Sequence, residues 1–147
     1  MKAENCYKWT GPLPTTCIET EPFWEACNQE RFLVQKCRDC GEVQYHYRAF
    51  CCHCWSDAIE DLPISGAGKV WTFSVVEVNR SPQFAEWGMY VTGVIEIPEG
   101  VKVISRILTE NPHHLRIGDD VRVAFATAET GQKIPVFVAS ENSSEDR

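Results

Sequence analysis

Two cysteine pairs in one short stretch constrain this chain more than any other feature. Cys37-Arg38-Asp39-Cys40 is one CxxC, and Cys51-Cys52-His53-Cys54 contains a second, ten residues after the first ends. A pair spaced this way points both sulfurs at one ion from a tight turn, and two such turns complete a tetrahedron of thiolates at about 2.3 Å from zinc. Cys37, Cys40, Cys51 and Cys54 are therefore the expected ligands of a zinc ribbon. Gly41, directly after Cys40, suits the turn because glycine accepts positive φ. Four thiolates close the coordination sphere, so the expected zinc is structural and not catalytic. The same ligand set can hold iron, which a coloured protein would reveal.

The chain has eight cysteines in 147 residues. Disulfides need an oxidising compartment. The N-terminus has no basic start followed by an apolar stretch, and no apolar run approaches the roughly 20 residues that cross a bilayer. The expected location is the cytoplasm, where metal ligation explains paired cysteines better. Cys6, Cys17, Cys27 and Cys52 have no pairing pattern and no assigned role. The formal net charge of -7 argues against a protein that coats phosphate backbones, so nucleic acid is not an expected partner, and the lack of a long apolar run leaves no membrane expected either.

The expected fold is mostly β, with an N-terminal helix, the four-cysteine ribbon and then a five-stranded barrel. Residues 1–30 read as an irregular arm and a short helix, with Thr20 as its cap and Pro22 in its first turn. Residues 31–62 read as the ribbon, with strands over Arg31–Lys36 and Val43–Tyr47. Residues 63–139 turn to pure β. Strands are expected at 70–78, 90–97, 101–108, 121–125 and 134–138, and five strands joined by turn signals suit an OB fold. Residues 140–147 are polar and read as a disordered tail.

No nucleophile–base pair, phosphate loop or distinctively spaced carboxylate pair is legible. Trp71 and Phe73 alternate onto one strand face and read as core. Phe84 and Trp87, in the loop between the first two barrel strands, read as interface anchors, as do Trp24, Tyr45, Tyr47 and Arg48. Lys102 and Arg106 share a strand face with Ile104 between them, and are the candidate pair for a phosphate-bearing ligand.

The motif order "FWEACNQERFLVQKCRDCGEVQYHYRAFCCHCWS", "GAGKVWTFSVVE", "HLRIGDDVRVAF" and "IPVFV" resembles the DUF35 family over roughly residues 22–139. One departure is visible. The second knuckle usually reads CPxCG, and here Cys52 and Trp55 replace the proline and glycine, which implies a looser turn. The resemblance implies a rubredoxin-like ribbon on an OB fold and a non-catalytic accessory role in acyl-CoA chemistry. The implied partners are thiolase-like acyltransferase subunits, with CoA esters as a further candidate. Among such assemblies a phloroglucinol-type C-acetyltransferase of antibiotic biosynthesis is the favoured one. Hydratase, aldolase and HMG-CoA synthase complexes are the alternatives, together with a stand-alone acyl-CoA-binding module.

Overall fold

Helix α1, Glu21–Asn28, buries Phe23, Ala26 and Cys27, the three- and four-residue spacing that makes one apolar helix face. Residues 7–140 are described in this computed structural model; Cys6 and the tail after Ser140 lie outside them. Thr20 occupies the N-cap position, but its hydroxyl makes no cap hydrogen bond. It turns back instead to accept from the backbone N–H of Cys17 at 3.0 Å. Pro22 sits in the first turn as expected.

The ribbon is a three-stranded antiparallel sheet. Its central strand β2, Leu33–Cys37, lies between β3, Val43–Gln44, and β4, Ile59–Pro63. β3 is shorter than the sequence suggests, because Tyr45 to Tyr47 leave the ladder. β4 is not legible in the sequence: Ile59 and Leu62 are three apart, two acids lie between them, and the segment ends in proline. The edge position resolves this, since an edge strand tolerates proline and solvated charges.

The barrel strands are β5 (Ala67–Val76), β6 (Tyr90–Glu96), β7 (Lys102–Leu108), β8 (Asp120–Thr127) and β9 (Lys133–Ala139). They run in the order β8-β5-β6-β7-β9, and a β8–β9 ladder closes the ring. Parallel pairing of Ile107 with Phe137 joins β7 to β9. A β-bulge at Trp71 shifts the register between Val70 and Thr72. It corrects one expectation. The extra residue breaks the alternation, so Phe73 packs on the core while Trp71 is half exposed. Gly93 on β6 is required by close approach, since a Cβ there would lie 2.7 Å from the Thr72 carbonyl oxygen.

The arm is not wholly irregular. Tyr7–Lys8 form a short strand, β1, parallel to the end of β8, and the N–H of Trp9 donates to the Thr127 carbonyl at 2.9 Å. One apolar core runs through helix, ribbon and barrel. The Phe23 ring lies 5.6 Å from Phe32, and Phe32 lies 6.3 Å from Phe137 on β9. The helix also ties down the β8–β9 loop: Asn28 accepts from the Lys133 N–H at 2.9 Å, and Lys133 reaches Glu30 at 3.4 Å.

Candidate metal centre and the surfaces around it

The four cysteine sulfurs all lie within 4.8 Å of one another. Sγ of Cys37 is 3.6 Å from that of Cys54, and Sγ of Cys40 is 3.5 Å from that of Cys51. A tetrahedron of sulfurs about 2.3 Å from one ion has edges of about 3.8 Å, close to these two distances, so the donor set suits zinc. Cys37 and Cys51 are buried and Cys40 and Cys54 exposed. The protein contributes all four ligands, which leaves no open position for a substrate.

The two knuckles repeat one hydrogen-bond pattern. The N–H of Gly41 donates to the Cys37 carbonyl at 2.9 Å, and the N–H of Trp55 donates to the Cys51 carbonyl at 3.0 Å. The N–H of Cys37 reaches the Glu42 carbonyl at 2.9 Å, and that of Cys51 reaches the Ser56 carbonyl at 2.8 Å. Gly41 has φ +78° and Trp55 φ +64°. The substitution of glycine by Trp55 therefore does not loosen the turn, contrary to expectation; the tryptophan adopts the left-handed conformation in glycine's place. Amide dipoles support the thiolates. The backbone N–H of Cys40 lowers the Cys37 thiol to about 7, and the N–H of His53 lies 3.4 Å from Sγ of Cys51. The Ser56 hydroxyl donates to Asp39, joining the two knuckles.

Two buried glutamines that no motif singles out hold the second knuckle against the sheet. Gln35 accepts from the N–H of Arg48 at 3.0 Å and donates to its carbonyl at 3.1 Å. Gln44 donates to Gln35 at 2.8 Å and to the Phe50 carbonyl at 3.2 Å, and accepts from the Cys52 N–H at 2.9 Å. These amides replace the ladder that β3 abandons after Gln44. The only signal in the sequence is a glutamine at an inward position of β2 and another of β3.

The proposed contact residues separate. Tyr47 is buried, and its hydroxyl donates to Asp61 at 2.7 Å. That placement corrects the expectation that Tyr47 faces a partner: its ring packs 5.6 Å from Phe23. Tyr45 and Trp24 are half-buried around the same Phe23 ring. Arg48 is exposed. Phe84 and Trp87 form a cluster with Tyr90, and Trp9 of the arm packs edge-on against Trp87 with centroids 5.0 Å apart. The loop aromatics are thus engaged by the chain's own arm. Lys102 and Arg106 do share a face, but each ends over a separate ring. The Lys102 ammonium lies 4.6 Å from the Trp71 centroid and the Arg106 guanidinium 4.0 Å from that of Trp87. Four residues apart on a strand, they are separated by about 13 Å. The structure does not bring them onto one phosphate. Cys27 is buried, and burial pushes its thiol up to about 12; Cys17 and Cys52 are exposed.

A four-thiolate knuckle pair stapled to a closed five-stranded barrel defines a zinc ribbon on an OB fold. Family models agree with both halves: residues 24–60 match the ChsH2 rubredoxin-like zinc ribbon domain and residues 62–126 the ChsH2 C-terminal OB-fold domain. The chain is 32% identical over 109 residues to a DUF35 domain-containing scaffold protein of Methanothermobacter thermautotrophicus, covering 73% of this chain and 81% of that one. It belongs to the DUF35 family. It is 28% identical to a probable enoyl-CoA hydratase alpha subunit of Thermomonospora curvata, over 92% of this chain but 42% of that longer protein. It is 26% identical to the benzoylsuccinyl-CoA thiolase subunit BbsA of Thauera aromatica, over 63% of this chain and 61% of that one. The solved structure of the Ltp2-ChsH2(DUF35) aldolase shares the fold, with a TM-score of 0.77 at 24% identity over 86% of this chain and 98% of that one. No helix among the described residues is long and apolar enough to cross a membrane.

Proposed function

We propose that this chain is an accessory subunit of an acyl-CoA-processing complex, in which a larger partner supplies the reacting groups. The observation that carries this reading is the kinship with proteins described as a scaffold and as enzyme subunits. The geometry supports a docking role. The closed metal centre gives chemistry no foothold, but it fixes a rigid tip on which Phe50 and Trp55 stand exposed. Large aromatics held on a rigid frame make efficient binding anchors. The finer reading is a thiolase-superfamily acyltransferase as partner, of the phloroglucinol C-acetyltransferase type, in the cytoplasm. It rests on the motif order and on the similarity to the thiolase subunit. Residues 31–62 then form the ribbon and 63–139 the barrel, a division that the two family matches support.

The similarity to a hydratase subunit favours a second reading, in which the partner is a hydratase or an aldolase. Affinity purification of the tagged chain from its native host, with mass spectrometry and zinc analysis, separates the two. A stoichiometric thiolase-like partner is the expected result. A hydratase or aldolase partner establishes the second reading. Recovery of a lone zinc-loaded chain overturns both and makes CoA-ester titration of the isolated protein the next step.

A further inference from the structure

A groove of about 350 Å³ runs between the ribbon and the turn that joins β6 to β7. Its lining includes Tyr45, His46 and Arg48 from the ribbon, Cys52 from the second knuckle, and Gly100 and Lys102 from the barrel. Among the described residues no acidic side chain lines it, although the chain as a whole carries a net charge of -7. Among the described residues, neither Arg48, Lys102 nor His46 makes an ion pair. The acids on the adjoining elements lie next to the groove but outside its lining. Glu42 pairs with His53 at 3.7 Å, and Glu99 accepts from the Ser65 N–H at 3.1 Å. Glu96 faces Lys102 across the β6–β7 ladder and, among the described residues, forms no ion pair with it. The Lys102 ammonium lies 4.6 Å from the Trp71 ring centroid, a contact that leaves its charge uncompensated.

We propose that this groove is an anion site for a phosphate or phosphate ester, with Arg48 as its fork, Lys102 as its point charge and His46 beside them. Arg48 offers a planar pair of donors and Lys102 a compact cation, which together suit a phosphate group. Gln35 fixes the Arg48 backbone through two hydrogen bonds, so one wall of the site is preorganised. The other wall belongs to the barrel, so the site exists only when ribbon and barrel are docked. This inference goes beyond the accessory-subunit reading and does not need it. The test uses the isolated chain, whereas that reading is tested by recovery of a partner.

The experiment is an amide NMR titration of the zinc-loaded chain with inorganic phosphate and, separately, with adenosine monophosphate. Sodium chloride at matched ionic strength is the control. Saturable shifts at His46, Arg48, Gly100 and Lys102 are expected with phosphate and not with chloride. The Arg48→Glu/Lys102→Glu variant, checked for full zinc content, should weaken binding by about tenfold or more. Tighter binding of the nucleotide identifies a phosphate ester with an organic body as the ligand, and equal binding identifies free phosphate. Absence of saturable shifts up to roughly 20 mM, a limit that corresponds to only weak association, overturns the proposal. So do saturable shifts at other residues, or unchanged binding in the zinc-loaded variant.

Discussion

Trp55 holds a conformation that glycine holds in the other knuckle, and its side chain makes no compensating burial. A non-glycine residue in the left-handed region costs roughly 1–2 kcal/mol, and the Trp55 side chain is 80% exposed. Trp55→Gly is therefore expected to stabilise the isolated chain by about 1 kcal/mol, less the entropy that glycine adds to the unfolded state. The same change should weaken partner recovery if Trp55 is an anchor. Urea unfolding and the affinity purification read the two effects separately. The buried groups give a second expectation, for alkaline pH. Burial raises Cys27 from 9.0 to about 12, and burial, with the nearby Cys27, raises Tyr45 from 10.0 to about 12. Burial likewise raises Tyr47, reinforced by its bond to Asp61. Each folded pKa lies above the unfolded one, so the folded chain keeps protons that the unfolded chain releases. Their contribution is complete below about pH 9 and is lost as pH rises toward 12. The urea midpoint should fall across that window, and Cys27→Ala should make the fall shallower. A midpoint that stays level to pH 11 would contradict the burial assigned to these groups.

At the scale of elements, α1 is a wedge more than a helix in its own right. Its eight residues are too few to be stable alone, and its three buried side chains meet both the ribbon and the barrel. Phe23→Ala is expected to cost about 3–5 kcal/mol. Hydrogen exchange should show the loss in β2 and in β9 together, since the Phe23–Phe32–Phe137 contacts link them. Loss confined to the ribbon would show that the wedge does not couple the halves. The ligand set and the five barrel strands were legible because cysteine spacing and strict alternation are local patterns. β4 was not, because its hydrogen bonds to β2 depend on a partner more than twenty residues away and not on its own alternation. The exposure of Trp71 was not, because a single extra residue at the bulge reverses which face a side chain takes. The burial of Tyr47 was hidden for a related reason: an aromatic at the end of a short ribbon strand reads as an anchor until the helix that covers it is placed.

For the whole molecule, the shared core decides how metal and fold depend on each other. The ribbon sheet has three short strands, and small sites of this kind draw much of their folding free energy from the metal, on the order of 10 kcal/mol. A ribbon joined to the barrel by a bare linker would melt alone on chelation and leave the barrel's transition unchanged. Here Phe32, Leu33 and Val34 of the ribbon are buried in one cluster with Val70, Ile95, Ile107 and Phe137 of the barrel. Losing the ribbon exposes that side of the barrel and frees α1, which in turn releases the β8–β9 loop that Asn28 and Glu30 hold. Chelation is therefore expected to lower the melting temperature of the entire chain. Calorimetry of the zinc-loaded protein should show one transition, and the chelated protein should show a single transition at lower temperature. A barrel transition that persists at its original temperature after chelation would mean that the two halves fold independently, whatever their contacts in the native state.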